Sequence, residues 1–354
     1  MVKIIAEAGV NHNGDRQMAF DLVKVAAESG ADAVKFQTFS AERLAAISAP
    51  KARYQQQTTD ALESQLEMLK ALELPDAWHS ELQDYAGSLG IVFISTAFDT
   101  HSLAFLQTLN LPFYKVPSGE ITNGPLLLAF ARTGKDLILS TGMSTLGEIE
   151  QALAVVAYGY CHDTDPGSLD DIWRFWSTNE ARLAIANKIT LLHCTSQYPT
   201  PMDEVNLKAM DTLASAFQVP VGYSDHTQGL AVPVAAVARG AAVIEKHFTL
   251  DRELPGPDHR ASLEPGELAN MVRQIRDIER ALGDGNKHPQ LSEWDTRQAA
   301  RQQLMFAEPV NKGQVITRES LTTARCGRGI SPMGLWNLVG STAARDYKAG
   351  EVLE

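Results

Sequence analysis

The stretch VPVGYSDHTQGLAVPVAAVARGAAVIEKH, residues 219–247, holds two apolar runs that each end on a histidine, His226 and His247. Each run has the length of a buried parallel strand, and TQGLAVPVAAVARGA between them reads as one crossover helix. Adjacent parallel strands bring their C-terminal ends side by side, so the two imidazoles flank each other on the face where barrel enzymes carry their chemistry. There they suit one shared divalent metal. The plainer reading is a pair of hydrogen-bonded polar residues at a barrel rim.

Working outward, seven to nine residues rich in strand formers recur along the chain, separated by helical stretches. They are KIIAEAG from Lys3, AVKFQTF from Ala33, IVFISTAF from Ile91, FYKVPSG from Phe113, LILSTGM from Leu137, ITLLHCTS from Ile189, VPVGYSD from Val219 and AVIEKHFTL from Ala242. Eight such alternations predict a closed (β/α)8 TIM barrel, an α/β fold, rather than an open sheet. The excursion at residues 40–63 reads as a lid, and residues 158–188 as a surface insertion with a role in oligomer contact. The expected domains are a barrel over 1–283, a polar linker over 284–300 and a small β-rich domain over 301–354.

A formal charge of −12 argues against nucleic acid or an anionic membrane as partner. The opening MVKIIAEAGV carries Glu7 inside its short apolar run, so it reads as neither signal peptide nor membrane span, and the cytoplasm is the expected compartment. Three cysteines without metal-ligand spacing fit a reducing compartment, and Cys194 reads as core.

Polar residues fall at or just past the strand ends. Lys35 and Lys115 sit among apolar neighbours, where an ammonium is costly unless it meets an anion. With the hydroxyls of Thr96, Ser118, Ser140 and Ser224 they form a socket for phosphate and carboxylate. Two other readings are open: a structural ion pair, or a Schiff-base lysine whose desolvated amine loses its charge. Glu7 and Glu120 are the carboxylates placed for proton transfer, though either could anchor a lysine. Asp225 adjoins His226 and is expected to orient a ligand, and Asp258 to receive substrate hydroxyls.

The motifs AEAGVNHNG, GADAVKFQT, FISTAF, YKVPSGE, LSTGM, LHCTSQYPTP, GYSDHT, EKHFTLD and PGPDH, in this order, resemble the sialic acid synthase family. MFAEPVNKGQVIT, ARCGRG and NLVGSTAARDYKAGEVL resemble its closing antifreeze-like (SAF) domain. The resemblance implies condensation of phosphoenolpyruvate with an N-acetylated mannosamine-type sugar, releasing phosphate and a nine-carbon 2-keto acid. It implies no redox cofactor, and a divalent metal on His226 and His247, manganese first, with magnesium or cobalt as substitutes. Lys35, Thr96, Lys115, Ser118, Ser140 and Ser224 match the phosphoenolpyruvate contacts, with Ser196 where some members carry Asn. Gln37, Tyr198 and Asp258 match sugar contacts, and Glu7 an acid near the sugar or the metal's waters. Arg325 matches an arginine that enters the partner subunit's barrel, implying a homodimer with exchanged C-terminal domains. AGVNHNG in place of SANHNG separates the chain from pseudaminic acid synthases and leaves N-acetylneuraminate and N,N'-diacetyllegionaminate as products. KARYQQQT and ESQLEMLKALEL resemble the legionaminate-type branch. The rivals are a Schiff-base pyruvate aldolase and a non-catalytic carbohydrate-binding protein.

Overall fold

A computed structural model describes residues 1–46, 48–52, 55–56, 59 and 63–354. It divides into two compact units, residues 1–283 and 284–354. The first is an eight-stranded parallel sheet: β1 (Lys3–Gly9), β2 (Ala33–Thr38), β3 (Val92–Ala97), β4 (Phe113–Val116), β5 (Asp136–Ser140), β6 (Ile189–His193), β7 (Val221–Asp225) and β8 (Val243–His247). The hydrogen-bonded order is β3-β2-β1-β8-β7-β6-β5-β4, and β3 and β4 adjoin each other to close the barrel. All eight runs singled out in the sequence carry a strand.

Side chains alternate across each strand, and this period of two builds both the core and the site. Outward residues such as Ile4, Ala6, Val34, Phe36, Tyr114 and Leu139 pack on the surrounding helices. Inward residues change character along the strand. Ile5, Ala33, Ile94, Phe113, Ile138, Leu192 and Val243 plug the lower end of the barrel with apolar side chains. Two residues further on, the same inward rows present Glu7, Lys35, Thr96, Lys115, Ser140, Cys194 and Glu245, all buried. The plug keeps water from below, and the polar tier above it faces the C-terminal mouth.

The helices begin where the sequence marks them. Asp15 caps Arg16–Glu28 through Met18 N, and Thr145 and Glu148 close a capping box at the start of Leu146–Cys161. Residues 158–188 fold back as helices Leu169–Trp176 and Asn179–Ala186, which bury Ile172, Trp176, Ala181 and Ile185 against Leu146–Cys161. The expected lid at 40–63 lies partly outside the described residues. Its described parts include the helix Ala41–Leu44, and helix Gln65–Ala71 follows it.

The second unit pairs β9 (Gln302–Phe306) and β10 (Leu321–Arg325) antiparallel. Its core is Leu304, Phe306, Val310, Ile316, Leu321, Ala343 and Leu353, with Tyr347 stacked on Phe306 at 4.4 Å. Residues 284–300 contain the helix Trp294–Ala300. Among the described residues, no helix is long and apolar enough to cross a membrane.

Candidate active site

A cavity of about 450 Å³ opens at the C-terminal mouth of the barrel. Glu7, Lys35, Gln37, Thr96, Lys115, Ser118, Glu120, Ser140, Ser196, Tyr198, Ser224, His226, His247 and Asp258 all line it. Arg325 does not; it is exposed at the end of β10 in the second unit.

The floor is an alternating charge cluster. Lys35 Nζ lies 2.8 Å from Glu7 and 3.6 Å from Glu245, and donates to Thr96 Oγ1 at 3.2 Å. Lys115 Nζ lies 3.5 Å from Glu245 Oε1, which also accepts from the Ser224 hydroxyl at 2.8 Å. The expected socket of cations and hydroxyls is therefore incomplete: each lysine already has a carboxylate, because a bare ammonium in this dry barrel would be too costly. Glu245 went unnoticed in the sequence. Its signal was its position two residues before His247, hence on the same inward face of β8.

Burial and the lysine–carboxylate contacts pull the titration of these groups in opposite directions. Burial pushes Glu7 up to about 7 in spite of Lys35. Burial acts the same way on Glu245, but Lys115 and Lys35 outweigh it and bring that carboxyl down to about 2. Burial would lower Lys35, yet Glu245 and Glu7 hold its pKa above the usual lysine value. Lys115 ends lower than usual, burial outweighing Glu245. Glu245 is thus the fixed negative charge and Glu7 the carboxyl nearer to gaining a proton.

His226 and His247 stand with ring centroids 5.7 Å apart. His226 Nδ1 lies 2.7 Å from the Thr195 carbonyl, which makes Nδ1 the donor and leaves Nε2 with its lone pair. Burial lowers both imidazoles below the usual histidine value, His247 further because His226 adjoins it. His247 Nδ1 is buried without a hydrogen-bond partner, its nearest acid being Asp258 at 3.8 Å. Two neutral imidazoles, one of them with an unsatisfied ring nitrogen, are a donor set that fits one divalent cation. No group of three His, Cys, Asp or Glu is gathered for a metal among the described residues. Such a cation would therefore keep positions for water and substrate oxygen. Asp225, expected to orient a ligand there, turns outward and pairs with Lys246 Nζ at 2.6 Å, both fully buried, so it reaches His226 only through the backbone. Strand alternation puts it on the far side of β7 from Ser224.

On the side of β4 to β6, Gly142 N donates to Ser118 Oγ at 3.0 Å, and Ser118 Oγ lies 3.2 Å from Cys194 Sγ. Cys194 therefore stands just past β6, buried in the barrel's interior as core beside Ser118. Ser140 Oγ is buried and unpartnered beside them.

A family model described as "NeuB family" matches residues 22–287, and one described as "SAF domain" matches residues 304–354. The chain belongs to the NeuB family. This NeuB-family chain is 47% identical to an N,N'-diacetyllegionaminic acid synthase of Campylobacter jejuni, covering 99% of the chain and 98% of that relative. It is also 47% identical to the enzyme of the same name from Legionella pneumophila, covering 99% and 92%. Among solved structures, the N-acetylneuraminic acid (sialic acid) synthetase of Leptospira borgpetersenii, in complex with citrate, aligns with a TM-score of 0.67 and 33% identity, over 83% of this chain and 90% of that one.

Two predictions arise from the geometry of this NeuB-family site. A Cβ on Gly142 would lie 2.3 Å from Ser196 Oγ and 2.9 Å from Ser118 Oγ. Gly142→Ala must therefore displace both hydroxyls, and a displacement of an ångström costs on the order of 10²-fold. The expected loss falls in kcat/KM for phosphoenolpyruvate, read by steady-state phosphate release, with the melting temperature little changed.

The second concerns acid stability. The histidines His12, His79, His193, His226, His247 and His259 all titrate below the usual value because they are buried, His12 and His259 near about 4. Burial raises two carboxyls in the opposite sense, Glu7 to about 7 and Asp258 to about 6. As pH falls through 6.5 towards 4.5 the unfolded chain protonates these six histidines earlier than the folded chain does, while the folded chain protonates Glu7 and Asp258 earlier than the unfolded chain does. The histidines prevail, so metal-free protein loses stability as pH falls through that window, by about 1.4 kcal/mol per pH unit for each net proton. Urea midpoints at pH 7.5, 6.0 and 5.0 should fall in that order; a flat series would refute it.

Proposed function

We propose that this chain is a nonulosonic acid synthase. It joins phosphoenolpyruvate, 2,4-diacetamido-2,4,6-trideoxymannose and water to give N,N'-diacetyllegionaminate and phosphate. The observation that carries this reading is the single cavity in which a lysine and hydroxyl floor meets a pair of neutral histidines. The near full-length 47% identity to two synthases of that name favours the diacetylated sugar over N-acetylmannosamine.

Lys115, Ser118, Ser140 and Ser196, on or just past β4 to β6, are suited to the phosphate, and Lys35, Thr96 and Ser224 to the carboxylate end. Arrival of that trianion gives Lys35 and Lys115 anionic partners beyond Glu7 and Glu245. Gln37, Tyr198 and Asp258 hold the sugar, and His226 and His247 face its aldehyde. A divalent cation between these histidines, manganese first, supplies Lewis-acid polarisation of the aldehyde oxygen when bound. C3 of phosphoenolpyruvate forms the new bond to the sugar's C1, and the electron-poor C2 takes up water. Glu120, held at the mouth by Asn123 at 2.7 Å, is placed to remove that water's proton. Collapse of the tetrahedral centre breaks the C2–O bond and releases phosphate. Glu7, close to half-protonated at neutral pH, is the group that moves a proton to or from the sugar oxygen.

Arg325 is exposed, as are Met333 and Trp336 in the same unit. This supports a homodimer in which each small domain covers its partner's barrel and Arg325 meets the N-acyl group. The cytoplasm, which supplies phosphoenolpyruvate, is the proposed compartment.

The test is phosphate release from phosphoenolpyruvate after metal removal and Mn²⁺ restoration, with each sugar offered in parallel. Release should require both metal and sugar and be faster with the trideoxy sugar. Lys115, with its lowered pKa, is the residue a Schiff-base aldolase would use. Borohydride with pyruvate should leave no adduct on it; a stable adduct would overturn the synthase reading.

A further inference from the structure

The catalytic cavity has two unlike sides. Its hydroxyls and lysines come from the floor and from the ends of β4 to β6, whereas the side above β1 to β3 is mainly apolar, Gln55 and Gln65 being the polar residues that line the cavity from the segment between β2 and β3. Phe39, Leu44, Met68, Leu69, Leu72 and Phe98 line it, and they form one cluster with Val10. Leu44, Leu69 and Phe98 keep part of their surface uncovered, while Phe39, Met68 and Leu72 are buried behind them.

The wall is held from several directions. Phe39 and Phe98 meet edge to face at 5.8 Å. Ser64 and Glu67 box the start of helix Gln65–Ala71, and Lys70 pairs with Glu42 at 2.8 Å across to helix Ala41–Leu44. Glu73 accepts from Ala41 N at 2.6 Å and ties the same two segments again. A preformed apolar surface beside Gln37 and Glu7 has a chemical meaning for an acceptor sugar. A hydroxyl pressed against these six side chains finds no partner in them, whereas a methyl group gains burial.

We infer that this wall is the specificity surface for the C4–C6 end of the acceptor, packing on its C6 methyl and on the methyl of its 4-acetamido group. The inference rests on the synthase reading and deepens it. The histidines fix the aldehyde on the side of β7 and β8, and the phosphoenolpyruvate contacts reach across to β4 to β6. The sugar's far end then turns towards β1 to β3, where the six apolar side chains stand. N-Acetylmannosamine carries hydroxyls at C4 and C6, the two positions where the trideoxy sugar offers methyl groups. An apolar pocket discriminates such pairs by roughly 10- to 100-fold.

The experiment measures kcat/KM for N-acetylmannosamine, its 6-deoxy analogue and 2,4-diacetamido-2,4,6-trideoxymannose, with wild type, Leu69→Gln and Leu69→Met. Wild type should rise along that series, by roughly tenfold or more from first to last. Leu69→Gln should collapse the ratio at least fivefold, chiefly through the KM of the two deoxy sugars, with KM for phosphoenolpyruvate within twofold. Leu69→Met, which keeps an apolar side chain, should retain the ratio. A Gln variant that loses all three sugars in proportion, or keeps the wild-type ratio, would overturn the inference and leave the synthase reading standing. No phosphate release from any sugar by wild type would overturn both.

Discussion

His226→Ala is expected to lower metal-dependent phosphate release by roughly 10³-fold or more while the protein remains folded. His226 is suited to its role by three features that alanine removes together. Its Nδ1–H is committed to the Thr195 carbonyl at 2.7 Å, so the ring cannot turn its lone pair away from the cavity. Burial keeps it neutral at physiological pH, and the Tyr198 ring 4.1 Å away limits its tilt. Folding depends less on it, because β7 keeps its ladder to β8 through Tyr223, Ser224 and Asp225. The variant should therefore melt near the wild-type temperature, still bind phosphoenolpyruvate through Lys35 and Lys115, and gain nothing from added Mn²⁺. Isothermal titration of phosphoenolpyruvate, paired with the phosphate assay, separates these outcomes. A fully active variant indifferent to metal would remove the histidines from the mechanism.

The barrel was legible because the apolar runs were short, evenly spaced and punctuated. The cavity's residues were legible because each broke an apolar run near its end: Lys35, Thr96, Lys115, Ser140 and His247 all did so. What escaped has a common physical origin. EKH at 245–247 holds three polar residues in succession, and two of them, Glu245 and His247, point inward while Lys246 points out. Reading only His247 hid the counter-charge that satisfies both cavity lysines. Asp225 acts from the other face for the same reason: adjacency to His226 in sequence is opposition across a strand, so its hold on His226 runs through Lys246 and Thr227. The apolar wall was hidden because its members come from three strand ends and two short helices, and only folding gathers them. Of KARYQQQT, residues 53, 54, 57 and 58 lie outside the described residues, while Ala52 and Gln55 line the cavity.

Lys246→Met is expected to destabilise the barrel by about 3–5 kcal/mol, a fall in melting temperature on the order of 10 °C for a domain of this size. Lys246 and Asp225 are both fully buried, and their 2.6 Å contact neutralises two charges among apolar neighbours. Lys246 Nζ also donates to the Thr227 carbonyl, and Asp225 Oδ1 accepts from Thr227 N at 3.0 Å. The pair thus pins the backbone on both sides of His226. Methionine matches the volume of the lysine stem but leaves the Asp225 carboxylate uncompensated, and that charge carries most of the cost. Changing both partners, Lys246→Met with Asp225→Leu, removes the stranded charge and should restore most of the stability. It does not restore the two bonds to Thr227, so phosphate release should stay at least tenfold below wild type even where the melting temperature recovers. If the double variant is as unstable as the single one, the cost lies in packing rather than charge. If it recovers activity along with stability, the pair holds the barrel together but does not position His226.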